Sequence, residues 1–441
     1  MSETASHQLL HALEAVARTE DKVHAYRHVL EQDTGEGETR ADPQPDASPI
    51  QGWPFAVKEV FDVSGIPTSG GSQAYENRVP DRDATVVQRL RSAGGQLIGT
   101  QIAHELTCGL DQPPTRNPWD LACYPGGSSA GAGVSVAVGS ARFALGTDAA
   151  GSVRIPAAMT GTTGLKPTWG RISTHGVMRQ ASAPSIDHVG IIARSAAEIA
   201  QILPVMAGPD TWDPATLQAR PLHPEAPQDA PRIAVLGAAT LAALADIHPL
   251  DPEIETAFSQ ACTVFRQAGA EIVALELPTL AKAVEAIVTF FSAELACANA
   301  ETLRERRKAF SPQVAEMLET GLAIPGDQLR NAIHVRSQLR QELAAGLAAA
   351  NASFLLTPTT PRPAMPLAAF DPSAELASLV PFTCGFNLTG NPAISVPCGQ
   401  TRDGLPIGLQ IVGGHFMDTA LLDLADRFQQ RTRWHEQRPP I

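Results

Sequence analysis

The sequence is short of several things that a chain of 441 residues could carry. It has no run of 18 consecutive apolar residues, so a membrane span is not expected. Residues 1–31 are polar and helix-periodic and lack the apolar core of a signal peptide, which makes the cytoplasm the expected compartment. Cysteine is scarce, and Cys108, Cys123, Cys262, Cys297, Cys384 and Cys398 form no Cys-x-x-Cys pair. That argues against structural zinc and for reduced, mostly buried thiols; no His or Asn pattern around them favours a catalytic cysteine. Positive charge is also in deficit: 33 Lys and Arg against 46 Asp and Glu leave a net −13, a poor match for nucleic acid or an anionic lipid surface. Lysines are few: Lys22, Lys58, Lys166, Lys282 and Lys308. No repeat period is visible.

What is present reads as a globular protein, 44% apolar and 18% charged, long enough for two domains or one large α/β enzyme. Residues His7 to Gln32 have helical apolar spacing, with a break near Thr19–Asp21, and predict one or two amphipathic helices. Asp33 to Ser48 is polar and reads as a mobile linker or surface loop. Short apolar runs at Pro54–Lys58, Gln96–Thr100, Asp187–Ile192, Arg232–Leu236, Glu271–Leu277, Phe354–Pro358 and Ala393–Pro397 read as strands, alternating with helical stretches. The expectation is an α/β fold with a mixed, largely parallel central sheet flanked by helices. Residues 1–50 form an N-terminal arm and linker and 51–441 the main domain, with an α-rich section at about 209–350.

The chemistry concentrates between Tyr124 and Pro156. Two serine-bearing, glycine-rich turns, Gly126–Gly133 and Ala149–Ser152, flank a run of small apolar residues. Glycines beside a serine let backbone N–H groups converge, and converging donors suit a developing oxyanion. A serine there is a candidate nucleophile that needs a base. Gly127-Ser-Ser-Ala-Gly131 matches Gly-x-Ser-x-Gly with Ser129 as nucleophile, but that motif expects a strand running into it, and the approach here is turn-like and contains prolines. The other base is a lysine. Only Lys58 sits in a buried-looking apolar strand; to act near neutral pH it must be uncharged, its pKa brought down from about 10.4 by burial. The competing reading is a lysine whose stem packs while its head reaches solvent.

Taken together, Val57-Lys58-Glu59, Gly126-Gly-Ser-Ser-Ala-Gly131, Gly146-Thr-Asp-Ala-Ala-Gly-Ser-Val-Arg-Ile-Pro-Ala157, Gly164-Leu-Lys-Pro-Thr-Trp-Gly-Arg171 and Thr389-Gly-Asn-Pro-Ala-Ile-Ser-Val-Pro397 resemble the amidase signature enzymes. The resemblance runs from about Gly52 to the C-terminus and is thinnest from Pro209 to Ala350. It implies the amidase signature fold and a Ser–Ser–Lys triad: Ser152 as acyl nucleophile, Ser128, preceded by a cis peptide, as bridge, and Lys58 as base. It further implies an oxyanion hole from the N–H groups of Ala149, Ala150, Gly151 and Ser152. Asp148 and Arg154 would hold the loop, and Thr107 is a pocket candidate. No cofactor or metal is expected. Departures are Glu59 where the family often has Asp, Ala150 where it often has Gly, and Gly99-Thr-Gln-Ile102 in place of Gly-Lys-Thr-Asn.

The leading expectation is therefore a free-standing amidohydrolase acting on a small linear amide or urea-like compound. The alternative is the amidase (A-type) subunit of a tRNA-dependent glutamine amidotransferase, which releases ammonia from glutamine for a partner. A catalytically silent ligand- or partner-binding member is a third reading, opposed by the intact Lys58, Ser128 and Ser152. The partner is expected to be the small-molecule amide, without direct nucleic acid or membrane contact, and the N-terminal helices suit a homodimer.

Overall fold

The computed structural model of the protein describes residues 5–31, 48–218, 222 and 232–441. The expected linker Asp33–Ser48 lies outside them except for Ser48, as does most of 219–231. Eleven strands among the described residues form one sheet: β1 (Tyr26–Val29), β2 (Pro54–Lys58), β3 (Gln96–Gln101), β4 (Phe143–Thr147), β5 (Thr163–Lys166), β6 (Val189–Ala193), β7 (Arg232–Leu236), β8 (Glu271–Leu275), β9 (Phe354–Pro358), β10 (Ala393–Gln400) and β11 (Pro406–Gly413). Their order across the sheet is β1-β3-β2-β4-β6-β5-β10-β11-β9-β7-β8. Every residue of β2 and β4 is buried, which fits their apolar sequence up to the terminal Lys58 and Thr147: strands covered on both faces have no polar side to alternate with. Phe55 of β2 and Phe143 of β4 stack with ring centroids 5.3 Å apart.

The expectation of a mixed sheet flanked by helices holds, with a different balance of directions. Pairings β2–β3, β2–β4, β7–β8 and β7–β9 are parallel, whereas the middle run β4-β6-β5-β10-β11-β9 is antiparallel throughout. Apolar content marks a buried strand but carries no direction. A tight return such as Thr401–Leu405, where Thr401 N–H donates to the Leu405 carbonyl at 2.8 Å, sets β10 and β11 antiparallel.

The N-terminal arm also departs from expectation. One unbroken helix spans Ala5–Val23, and the stretch after it is not a second helix but β1. Thr19 sits within it, satisfying its buried hydroxyl by donating to the Ala15 carbonyl at 2.7 Å. The Glu20 carboxylate then caps the N–H groups of Ala25 and Tyr26, and His24 turns the chain with φ 49°. β1 joins the sheet edge antiparallel to β3.

The small-residue run between the serine turns forms the helix Ala130–Val138, with every residue but Val138 buried. Its Gly131 lies against the Ala25 carbonyl and the Ile102 backbone, where a Cβ would collide with atoms that cannot swing aside. The section 209–350 carries β7 and β8 together with the helices Ala238–Ala245, Pro252–Gln267, Ala283–Arg306, Pro312–Leu322 and Gly326–Ala349. Ile287, Phe290 and Leu295 are buried on Ala283–Arg306. No helix among the described residues is long and apolar enough to cross a membrane.

Gly131→Ala is expected to lower unfolding stability by about 1–3 kcal/mol through overpacking against backbone. Urea unfolding followed by circular dichroism measures this, and an unchanged midpoint would contradict the close packing.

Candidate active site

Lys58 ends β2 and is fully buried. Its Nζ donates to Ser128 Oγ at 2.8 Å and to Thr147 Oγ1 at 3.0 Å. Burial pushes the ammonium well down from the ordinary lysine range; the carboxylates of Asp187, Asp148 and Glu59 pull the other way without overturning it. Glu59, next in sequence, points to different work. It accepts from Ala103 N–H at 2.9 Å and Ser69 Oγ at 3.3 Å, and pairs with Arg27 of β1 at 3.0 Å.

The peptide bond Gly127–Ser128 is cis. Ser128 is buried, and Ser152 is partly exposed; both line a cavity of about 290 Å³ together with Ala149, Ala150 and Thr107. Ser129, the serine of the Gly-x-Ser-x-Gly reading, is fully buried. It donates Oγ to the Thr147 carbonyl at 3.3 Å and N–H to the Ser152 carbonyl at 3.2 Å, so it ties the two turns together. No strand runs into it, since β3 ends at Gln101 and a loop intervenes.

The second turn is shaped by a buried ion pair. Arg154 and Asp148 are both wholly shielded, with Nη2 2.8 Å from Oδ1 and Nε 2.9 Å from Oδ2. The same carboxylate accepts from the N–H groups of Gly151 at 2.8 Å and Val153 at 3.2 Å. Arg154 also donates to the Thr383 carbonyl, Gln410 Oε1 and Asn387 Oδ1. Burial alone would raise the Asp148 pKa, but Arg154 and the Asn387 amide hold it well below the carboxylate range. This bears on the four N–H groups expected to serve an oxyanion. Gly151 N–H is spent on Asp148, while no described residue accepts from the N–H groups of Ala149, Ala150 or Ser152. Gly151 has φ 136°, a region closed to most side chains, so the conformational demand of the turn falls there and Ala150 is spared it.

Thr107 has φ 63°, and its hydroxyl donates to the Ala181 carbonyl at 3.2 Å, leaving chiefly its methyl for the cavity. Four neighbours escape sequence reading. Thr147 is the second partner of Lys58. Asp187, whose carboxyl burial pushes up while Lys58 pulls it down, accepts from Ser182 Oγ at 3.0 Å. Cys108 lines the cavity. Lys166, placed in a turn by sequence, is as buried as Lys58 and donates to the Asn391 and Pro167 carbonyls. A lysine inside an apolar run is a signal for Lys58; the polar partners carry none. All six cysteines are free, and only Cys297 among them is exposed. His104 bridges Asp111 and Tyr124 Oη at 2.9 Å each, and His188 donates Nδ1–H to the Ile186 carbonyl at 2.9 Å, so both are parts of the frame.

Asp148→Asn is expected to cost about 3–5 kcal/mol, since it strands the Arg154 charge in the interior. The pH sign follows from a folded pKa held below the unfolded value of about 3.9. The contribution of the pair is complete above that value and is lost as pH falls below it toward the lowered folded pKa. Acid titration of stability should therefore be flatter below about pH 4 in the variant than in the parent.

These features match a known set of proteins. The family described as Amidase matches residues 8–422. A Roseiflexus protein named as the A-type subunit of glutamyl-tRNA(Gln) amidotransferase is 35% identical over 428 residues, spanning 90% of this chain and 86% of its own. The structure of a 6-aminohexanoate cyclic dimer hydrolase superposes with TM-score 0.85 at 26% identity, covering 99% of this chain and 95% of that one. The native peptide amidase from Stenotrophomonas maltophilia superposes with TM-score 0.78 at 27% identity, covering 99% and 95%. With its motifs, its sheet and almost its whole length accounted for, this chain belongs to the amidase signature family.

Proposed function

We propose that the protein hydrolyses a carbonyl C–N bond of a small amide or urea-like compound through an acyl-enzyme on Ser152. The observation that carries this reading is the buried hydrogen bond between Lys58 Nζ and Ser128 Oγ, since Ser128 lines the same cavity as Ser152. A serine hydroxyl is a poor nucleophile until its proton has somewhere to go. Neutral Lys58 accepts the Ser128 proton as Ser128 accepts that of Ser152, and Ser152 Oγ bonds to the carbonyl carbon. The oxyanion faces the uncommitted N–H groups of Ala149, Ala150 and Ser152. The relay then runs backwards: Ser128 returns a proton to the leaving nitrogen, the C–N bond breaks and the amine departs. Water, deprotonated through the same relay, attacks the ester and releases the acid and free Ser152. Thr147 holds the Lys58 amine in place from its other side.

A second reading, the A-type subunit of a tRNA-dependent glutamine amidotransferase, is favoured by the names of the curated relatives at 32–35% identity. In that case the same Ser152 chemistry would release ammonia from glutamine, and the protein would work with partner subunits. Activity of the isolated chain on simple amides supports the first reading; turnover of glutamine that appears only with partner subunits supports the second.

Ser152→Ala and Lys58→Met are each expected to lower kcat by roughly 10⁴-fold or more, because relay members act as a unit. Intact-protein mass measurement under turnover should find the acyl adduct on the parent and none on Ser152→Ala. Since only neutral Lys58 accepts a proton, kcat/KM should fall as pH is lowered through its depressed pKa. That acid limb should lie well below the ordinary lysine value of about 10.4.

A further inference from the structure

The cavity beside Ser152 has a wall of unusual uniformity. Among the described residues that line it there is no Asp, Glu, Lys, Arg or His. Its two groups able to ionise, the Cys108 thiol and the Tyr124 phenol, are both pushed up by burial and stay neutral at any ordinary pH. Most of its polar side-chain atoms already have partners. Tyr124 Oη is bound to His104, Thr107 Oγ1 to the Ala181 carbonyl, Cys108 Sγ to the Leu106 carbonyl and Ser128 to Lys58. Among the side chains, polar recognition is thereby left to Ser152, beside its adjoining N–H groups, and to the neutral hydroxyl of Ser292. The remainder is hydrocarbon and aromatic surface from three separate parts of the chain: Ile155 from the helix after the second serine turn, Ile287, Phe291 and Met317 from the helices Ala283–Arg306 and Pro312–Leu322, and Leu379 with Val380 from the segment before Thr383.

We infer that this cavity is an acyl site for an uncharged, apolar group, alkyl or aryl, whose carboxamide is presented to Ser152, and that free glutamine is a poor occupant. The inference rests on the Ser152 reading and narrows its substrate class. Free glutamine carries an ammonium and a carboxylate, and in this cavity both would leave water without a counter-charge, which weakens binding steeply. An alkyl chain or a phenyl ring leaves water at a gain that grows with buried area. The single polar end supplies what a carboxamide needs: donors for its oxygen and a nucleophile for its carbon. The α-rich section thus has an assignment that its sequence pattern did not reveal, namely the wall facing the acyl group.

The test pairs turnover with binding. Ammonia release is measured for acetamide, butyramide, hexanamide, benzamide, malonamate and L-glutamine, and the binding of hexanamide, benzamide and L-glutamine to Ser152→Ala is measured by calorimetry. The expected result is a kcat/KM that climbs roughly fourfold per methylene from acetamide to hexanamide. Malonamate and L-glutamine should lie at least about 100-fold below hexanamide, and calorimetry should give the same order. Phe291→Ala should lower kcat/KM for benzamide about tenfold and shrink its advantage over acetamide. Ile287→Lys, if it folds by circular dichroism, should raise the malonamate-to-hexanamide ratio at least tenfold. L-glutamine or malonamate matching hexanamide, a flat series, or a benzamide preference indifferent to Phe291→Ala would overturn the inference while an acyl adduct on Ser152 left the chemistry standing. Apolar amides bound more tightly than glutamine but neither cleaved nor trapped would sink the Ser152 reading and leave the assignment of the cavity intact.

Discussion

The ion pair between Asp148 and Arg154 is the interaction on which the site's geometry rests. Both side chains are wholly removed from water, a situation that is costly unless every donor and acceptor is met. Here they are met by the turn and by three residues distant in sequence. The carboxylate gathers the N–H groups of Gly151 and Val153, and the guanidinium reaches the Thr383 carbonyl and the Gln410 and Asn387 side chains. The turn cannot relax without stranding charge. Rigidity at Ala149–Ser152 is therefore a by-product of burying two charges, and it fixes which N–H groups stay free. Thr383 adds to it by donating to the Ala150 carbonyl at 2.6 Å.

Much of this is legible in the sequence, for reasons particular to each residue. Lys58 stands out because a cation within the apolar run Pro54–Phe61 has no ordinary reason to be there, and Ser128 and Ser152 because glycines crowd both. The assignment of Asp148 and Arg154 to the frame also matches their bonds. What sequence cannot give is what depends on the order of strands in space. Lys166 is buried because β5 lies between β6 and β10, a neighbourhood assembled from residues far apart in the chain. Thr147 and Asp187 approach Lys58 from β4 and from the loop before β6, and neither carries a local pattern. The commitment of Gly151 N–H to Asp148 is a matter of a few tenths of an ångström in one turn. β1 reads as helix because four residues at an edge offer too short a period to distinguish.

Two lysines are sealed in this protein, and their surroundings separate them. Lys58 meets two hydroxyls that can exchange protons with it, and one of these, Ser128, opens onto the cavity. Lys166 meets main-chain carbonyls, which only accept. Burial drives both away from the charged state, yet only the first is bonded to a hydroxyl that reaches the cavity. Burial makes an amine basic in the useful sense only when a hydroxyl chain connects it to the reacting atoms.

The edge strand β1 has a consequence for how the molecule is made. Tyr26 pairs with Gln101, and Arg27 beside it reaches Glu59 next to Lys58, so this strand docks onto one synthesised much later. Until β3 emerges, β1 has no ladder to join, and once β3 has paired with β2 its outer rim stays open to any passing strand. Closing that rim with a segment made earlier in the same chain gives the nascent protein its own occupant for an otherwise open edge of the sheet.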